Sequence, residues 1–133
     1  MRASAIPIVM LVTFVPPPAL SFNEDEFCFA VSDIAHRMNA RKGKWLDRST
    51  RYEGVVVDCA AKTLEVKRFL NADPDSMREG WKTRKQQAWN RDFCSDERWR
   101  KAIHAGWTIA SIVTFSSEER HSFIAACEEA DTE

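Results

Sequence analysis

Four cysteines constrain this chain more than anything else in it, because they fall in a repeated pattern. Phe27-Cys28 and Gly43-Lys44-Trp45 lead to Cys59, and Phe93-Cys94 and Gly106-Trp107 lead to Cys127. The separations within the two stretches are nearly equal, 31 and 33 residues. Four cysteines permit three pairings, and spacing alone does not choose among them. If each stretch closes on itself, Cys28 joins Cys59 and Cys94 joins Cys127. Closing a loop of that length contributes about 3 to 4 kcal/mol in the chain-entropy model. A zinc site asks for ligands about two to four positions apart, which none of these cysteines has, and the same spacing excludes a Cys-x-x-Cys redox pair.

A disulfide framework implies an oxidising compartment, and the first residues agree. Met1-Arg2 is a positive start, Ala5 to Val15 is apolar, Pro16 to Pro18 interrupt, and Ala19-Leu20-Ser21 places small residues where a signal peptidase cuts. Residues 1–21 are therefore read as a signal peptide and 22–133 as a single exported α+β domain, periplasmic or secreted. The apolar run is shorter than the roughly 20 residues of a membrane span, and no later stretch approaches that length. No cysteine stands at the cleavage point to carry a lipid, and one arginine makes no twin-arginine signal.

Taking 21 from 133 residues leaves 112, enough for one core. Overall charge is close to neutral, but its distribution is uneven. Residues 37 to 101 are rich in Lys and Arg, whereas the segment from Glu118 to Glu133 is acidic apart from Arg120 and His121. Such polarity steers an acidic partner, or it is dispersed over solvated helix faces.

The pattern of apolar residues orders the elements. Asn23-Glu24-Asp25-Glu26 caps a helix carrying Phe27, Val31, Ile34, Ala35 and Met38 at helical spacing, with Gly43 as its stop. Trp45-Leu46 opens a short strand, Glu53-Gly54 is a turn, and Tyr52 to Cys59 is a buried strand around Val55-Val56-Val57. Thr63 to Leu70 alternates as a half-buried strand. Asp73-Pro74 starts a second helix running to about Arg91, Ser95-Asp96-Glu97 starts a third, and Gly106 ends it. Trp107 to Phe115 is apolar on both faces, as a central strand is, and Arg120 to Cys127 returns as its hairpin partner. The expected fold is α+β: an antiparallel sheet of four or five strands, helices on one face, and two helix-plus-hairpin units with two disulfides. Either duplication or a recurring helix-hairpin pattern accounts for the likeness of the halves.

No catalytic motif accompanies this framework. His36, His104 and His121 have no metal-ligand spacing, no serine stands in a Gly-x-Ser-x-Gly context, and the sparse glycines form no phosphate loop, so no metal or cofactor is implied. The most suggestive surface is the basic, tryptophan-bearing region 78–101. Its candidate binding residues are Arg78, Lys82, Arg84, Lys85, Trp89, Arg91, Arg98 and Lys101. Trp81 and Trp99 fall on the apolar faces of their helices, and Trp89 lies nearer the edge. The leading expectation is a non-enzymatic protein-binding module of the inhibitor, immunity or envelope accessory type. The alternatives are a small envelope hydrolase using two carboxylates or a histidine brought beside one, and a binder of anionic polymer through 78–101. Export disfavours nucleic acid as that polymer.

Overall fold

The computed structural model describes residues 22–128. The segment read as a signal peptide and the last five residues of the acidic tail lie outside them. Helix α1 (Glu24–Asn39) begins where expected: Asn23 Oδ1 accepts the Glu26 N–H at 2.9 Å, and three acids fill the first turn, facing the positive end of the helix dipole. Val31 and Ala35 are its buried residues. Strands β1 (Thr50–Asp58) and β2 (Thr63–Leu70) form an antiparallel hairpin. A 3-10 turn (Pro74–Ser76) then leads to α2 (Trp81–Cys94) and α3 (Glu97–His104), and a second antiparallel hairpin, β3 (Thr108–Phe115) with β4 (Arg120–Ile124), completes the described chain.

The sheet order is β1-β2-β3-β4, and the expectation of an antiparallel sheet is corrected at its centre, where β2 and β3 run parallel. The cause is the connection. The chain from Asn71 to Trp107 folds into helices and works as a crossover, which brings β3 back to the end where β2 began. Among the described residues a count of four strands holds. Trp45 contributes only an isolated bridge to Arg51, without extending into a fifth strand.

Three boundaries differ from the sequence reading for identifiable reasons. Glu53-Gly54 is no turn but a register shift inside β1, between Tyr52 and Gly54. Gly54 sits at φ +107°, and a Cβ there would lie 2.9 Å from Asn39 Oδ1. That oxygen accepts from the Val55 N–H at 2.7 Å while Asn39 Nδ2 donates to the Val55 carbonyl at 2.9 Å, so the end of α1 pairs with β1 like a short strand. The second helix does not run on from Pro74 because the backbone turns extended at Met77, ψ 153°, after a single 3-10 turn, and α2 starts only at Trp81, after Gly80 at a left-handed φ of +80°. It continues to Cys94, past the expected end at Arg91.

Both cysteine pairs are joined as the within-unit alternative has it. Cys28 bonds Cys59 with Cα atoms 5.9 Å apart, and Cys94 bonds Cys127 at 5.4 Å. The first ties the start of α1 to the end of β1. The second ties the end of α2 to the segment after β4. Helices cover one face of the sheet. The core joins Val31, Ala35, Trp89 and Ala102 to the strand residues Val55, Leu64, Val66, Ile109, Val113, Phe115 and Phe123. On the other face, Val56 and Ile124 are exposed.

Candidate functional site

The eight residues of the expected basic surface do not form one patch. Arg98 is drawn to Asp96 at 3.3 Å and Lys101 to Glu97 at 3.4 Å, each within α3 or its cap. Arg91 lies in a separate groove with Arg100 beside the Cys94–Cys127 bond. Arg78, Arg84 and Lys85 do converge, around Trp81 in an open groove, and the Lys82 ammonium stands 6.0 Å from the same ring. Trp89 is a correction. It is buried, and its Nε1 donates to the Ile109 carbonyl at 3.0 Å, so it anchors α2 to β3 and is not at the edge. Trp81 and Trp99 are half-buried against the core.

A more enclosed site lies beside this region. A cleft of about 830 Å³ opens between α1 and the inner face of the sheet. One wall is the side of α1, with Ile34, Arg37 and Met38, continued by Arg41 in the turn after it, and the opposite rim is Lys44-Trp45-Leu46. Tyr52 and Arg68, cross-strand partners in the β1–β2 register, contribute from the sheet. No carboxylate lines the cleft. Arg37 is paired outward with Asp33 at 3.2 Å, but among the described residues Arg41, Lys44 and Arg68 make no ion pair within 4 Å.

The strand alternation explains how a cation came to be there. Leu64, Val66, Arg68 and Leu70 occupy every second position of β2, so Arg68 takes an inward place that the pattern reserves for an apolar residue. Its guanidinium carbon lies 5.8 Å from the Trp89 ring centroid. Burial lowers the arginine pKa, with Tyr52 and Asp92 acting the other way. Lys85 stands at the middle of a Trp81–Lys85–Trp89 stripe of α2, four residues from each tryptophan. Its pKa is lowered too, first by desolvation and then by the nearby positive charge of Arg68, against a smaller opposing pull from Asp47. Beneath these cations Tyr52 is 5% exposed, and its hydroxyl has no hydrogen-bond partner among the described residues. Burial raises its pKa, opposed by Arg68.

Sequence reading by clusters of like residues missed Arg41, Lys44, Tyr52 and Arg68, because they are brought together by the fold and not by adjacency. The signal that finds two of the functional candidates is a local conflict: a charge at an inward position of a well-patterned strand and of a well-patterned helix.

The histidines remain apart from this cleft. His121 Nε2 lies 2.6 Å from Glu119 Oε2, and its ring packs edge-on against Trp81 and Phe115. Among the described residues no group of three His, Cys, Asp or Glu side chains converges to hold a metal, and no helix is long and apolar enough to cross a membrane.

No family model matches the chain, and no curated protein does. Two solved structures share its fold. One is a protein of Pseudomonas aeruginosa thought to be secreted, at TM-score 0.57 and 14% identity, the match covering 78% of this chain and 92% of that one. The other is EpsS, the pilotin of the Vibrio vulnificus type 2 secretion system, at TM-score 0.54 and 12% identity, covering 77% of this chain and 90% of its own. At such identities the likeness is one of fold: this is a helix-and-sheet architecture that a secretion-system pilotin also adopts.

Proposed function

We propose that this chain is an exported, non-enzymatic accessory module that binds another protein with the cationic side of its helix layer. The observation that carries the reading is the gathering of Arg41, Lys44 and Arg68 around one cleft, with Lys85 of the neighbouring groove close enough to feel the charge of Arg68, and among the described residues none of the four has an ion-pair partner within 4 Å. Unpaired cations beside exposed tryptophan and leucine match the composition of protein interfaces better than that of a solvated helix face. Two within-unit disulfides hold the surface rigid, so little ordering cost falls on association. The disulfides and the company of a protein thought to be secreted and a pilotin support an extracytoplasmic setting, periplasmic or secreted.

The test is retention of envelope proteins on the immobilised, oxidised protein beside an Arg41→Glu, Lys85→Glu double variant. A specific partner held by the parent and lost from the variant is expected. Absence of any retained protein at low salt, or equal retention by the variant, defeats the reading. A second reading, a small hydrolase, has one observation in its favour, the His121–Glu119 pair. Turnover of a glycan or peptide substrate that disappears in His121→Ala would establish it over the binding role. Binding to an anionic polymer through the Arg78, Arg84 and Lys85 groove is separated by its steep fall with added salt.

A further inference from the structure

We infer that the cleft between α1 and the Tyr52–Arg68 pair is a carboxylate pocket, built to take an acidic position flanked by an apolar side chain in the partner polypeptide. The inference rests on the protein-binding reading and says where and by what chemistry that binding occurs.

Tyr52 is the first reason. A hydroxyl 5% exposed and without a partner is unusual, since buried polar groups are nearly always hydrogen-bonded. The residue lines the cleft while its hydroxyl oxygen is enclosed, so an acceptor entering there would complete it once the side chains over it part. Arg68 is the second. It is Tyr52's cross-strand partner, it carries five donors, and among the described residues it has no side-chain hydrogen bond and no ion pair. A planar guanidinium is matched best by a two-oxygen anion, which it binds through paired N–H donors. Arg41 and Lys44 stand on the walls, and the lining holds no carboxylate, since Asp92, whose charge acts on Arg68, lies outside it.

The rim decides which anion. Met38, Trp45 and Leu46 are 38%, 50% and 56% exposed at the mouth, so the charge-binding floor is framed by apolar surface. Inorganic phosphate would use the floor and leave the frame idle. A fatty acid would place its head on the floor but leave most of its chain beyond the mouth, in water, because the apolar side chains form a rim and not a tunnel. A carboxylate beside one apolar side chain fills both parts.

The probes are N-acetyl-phenylalanine, its uncharged amide and octanoate, titrated by NMR against the oxidised protein with the Trp45 indole as reporter. The acid is expected to give a saturable shift, and the amide to bind at least about tenfold more weakly, the loss of one charge-assisted contact. Arg68→Met should weaken the acid by about tenfold or more and Tyr52→Phe by roughly three- to tenfold, each variant first shown to melt like the parent. Equal binding of acid and amide, no saturable shift, or unchanged affinity in both variants overturns the pocket. Octanoate binding about tenfold tighter than the acid overturns the polypeptide assignment. The acid and amide comparison needs no variant, so a folding failure does not shelter the inference. A discriminating pocket with no protein retained from envelope extract would defeat the protein-binding reading and spare the site. A retained partner indifferent to Tyr52→Phe and Arg68→Met would do the reverse.

Discussion

The unit closed by Cys28 and Cys59 presents a tyrosine hydroxyl and an arginine on the inner side of its hairpin, whereas the unit closed by Cys94 and Cys127 presents Ile109, Val113, Phe115 and Phe123. The plan is shared: a helix, an antiparallel hairpin and a bridge across roughly equal spans. The interiors differ. In the second unit α2 supplies Trp81 against Phe115 at 5.4 Å, and Ile109 and Phe115 are fully buried. In the first, α1 buries only Val31 and Ala35 and leaves a cleft beyond them. The second unit is therefore built for stability and the first keeps polar groups that cost stability, a division expected where a binding site is held on a rigid scaffold.

The repeated Phe-Cys pairs show how the units are joined. Phe27 and Phe93 both meet Trp99 edge-on, with ring centroids 5.5 Å and 5.0 Å apart, and Phe27 also meets Trp107 at 4.9 Å. Trp99 of α3 is thus the common wedge of the two signatures. Aromatic pairs of this geometry contribute about 0.5 to 1.5 kcal/mol each beyond burial, so the seam between the units is itself a strong part of the core.

The contrast is broken most directly by substituting one residue in each interior. Phe115→Ala should cost about 3 to 5 kcal/mol, because a fully buried ring is removed from the packed unit. Tyr52→Phe removes only an unpartnered hydroxyl and should leave stability unchanged or raise it by about 1 kcal/mol. Urea unfolding of the two variants measures both. A comparable loss from Tyr52→Phe would mean that its hydroxyl has a structural partner and that the two interiors are alike.

How far this contrast was legible in the sequence depends on range. Caps, turns and strand spans are local, and Asn23, Asp96 and the strand Thr63 to Leu70 were readable from neighbouring residues. The parallel pairing of β2 with β3 was not, since it depends on where the crossover of α2 and α3 returns the chain. Trp89 was misplaced for a related reason. A wheel begun at Pro74 lets residues before Gly80 help choose the inward face, whereas the helix starts only at Trp81, and its i, i+4, i+8 stripe of Trp81, Lys85 and Trp89 is the side drawn toward the core. The cleft residues come from α1, the loop after it and two strands, and of them only Arg68 was announced, by its conflict with the strand pattern. The basic cluster 78–101 was conspicuous because it is contiguous in sequence, yet the fold divides it.

The two bridges sharpen the comparison next. Their loops span 31 and 33 residues, so each should contribute about 3 to 4 kcal/mol through the unfolded chain, and nearly the same amount. Replacing both cysteines of either pair by alanine, with unfolding followed in parallel, is the measurement. A difference of more than about 2 kcal/mol would show that one unit leans on its bridge for native packing, which a purely chain-entropic staple does not produce. The first unit, with less buried in it, is where any excess is expected.

The smallest effect concerns a side-chain tie between the units. Glu24, in the first turn of α1, accepts from Trp107 Nε1 at 3.1 Å and pairs with Lys62 at 3.0 Å, linking the start of the first unit to the entry of β3 in the second. The Lys62 hydrogen bond first, and the Trp107 hydrogen bond after it, hold the carboxyl below its ordinary value of 4.5. A group whose folded pKa lies below its unfolded one stabilises most fully above the unfolded value, so the contribution of Glu24 should be complete above about pH 4.5 and fade as acid carries the pH down through the folded value. Glu24→Gln should therefore be slightly less stable than the parent at neutral pH, with the two curves converging as pH falls below that point. The side chain is substantially exposed, so the gap should also shrink with salt. A gap that stays constant from neutral pH into acid would mean that Glu24 joins the units by packing and hydrogen-bond geometry alone, with its charge playing no part.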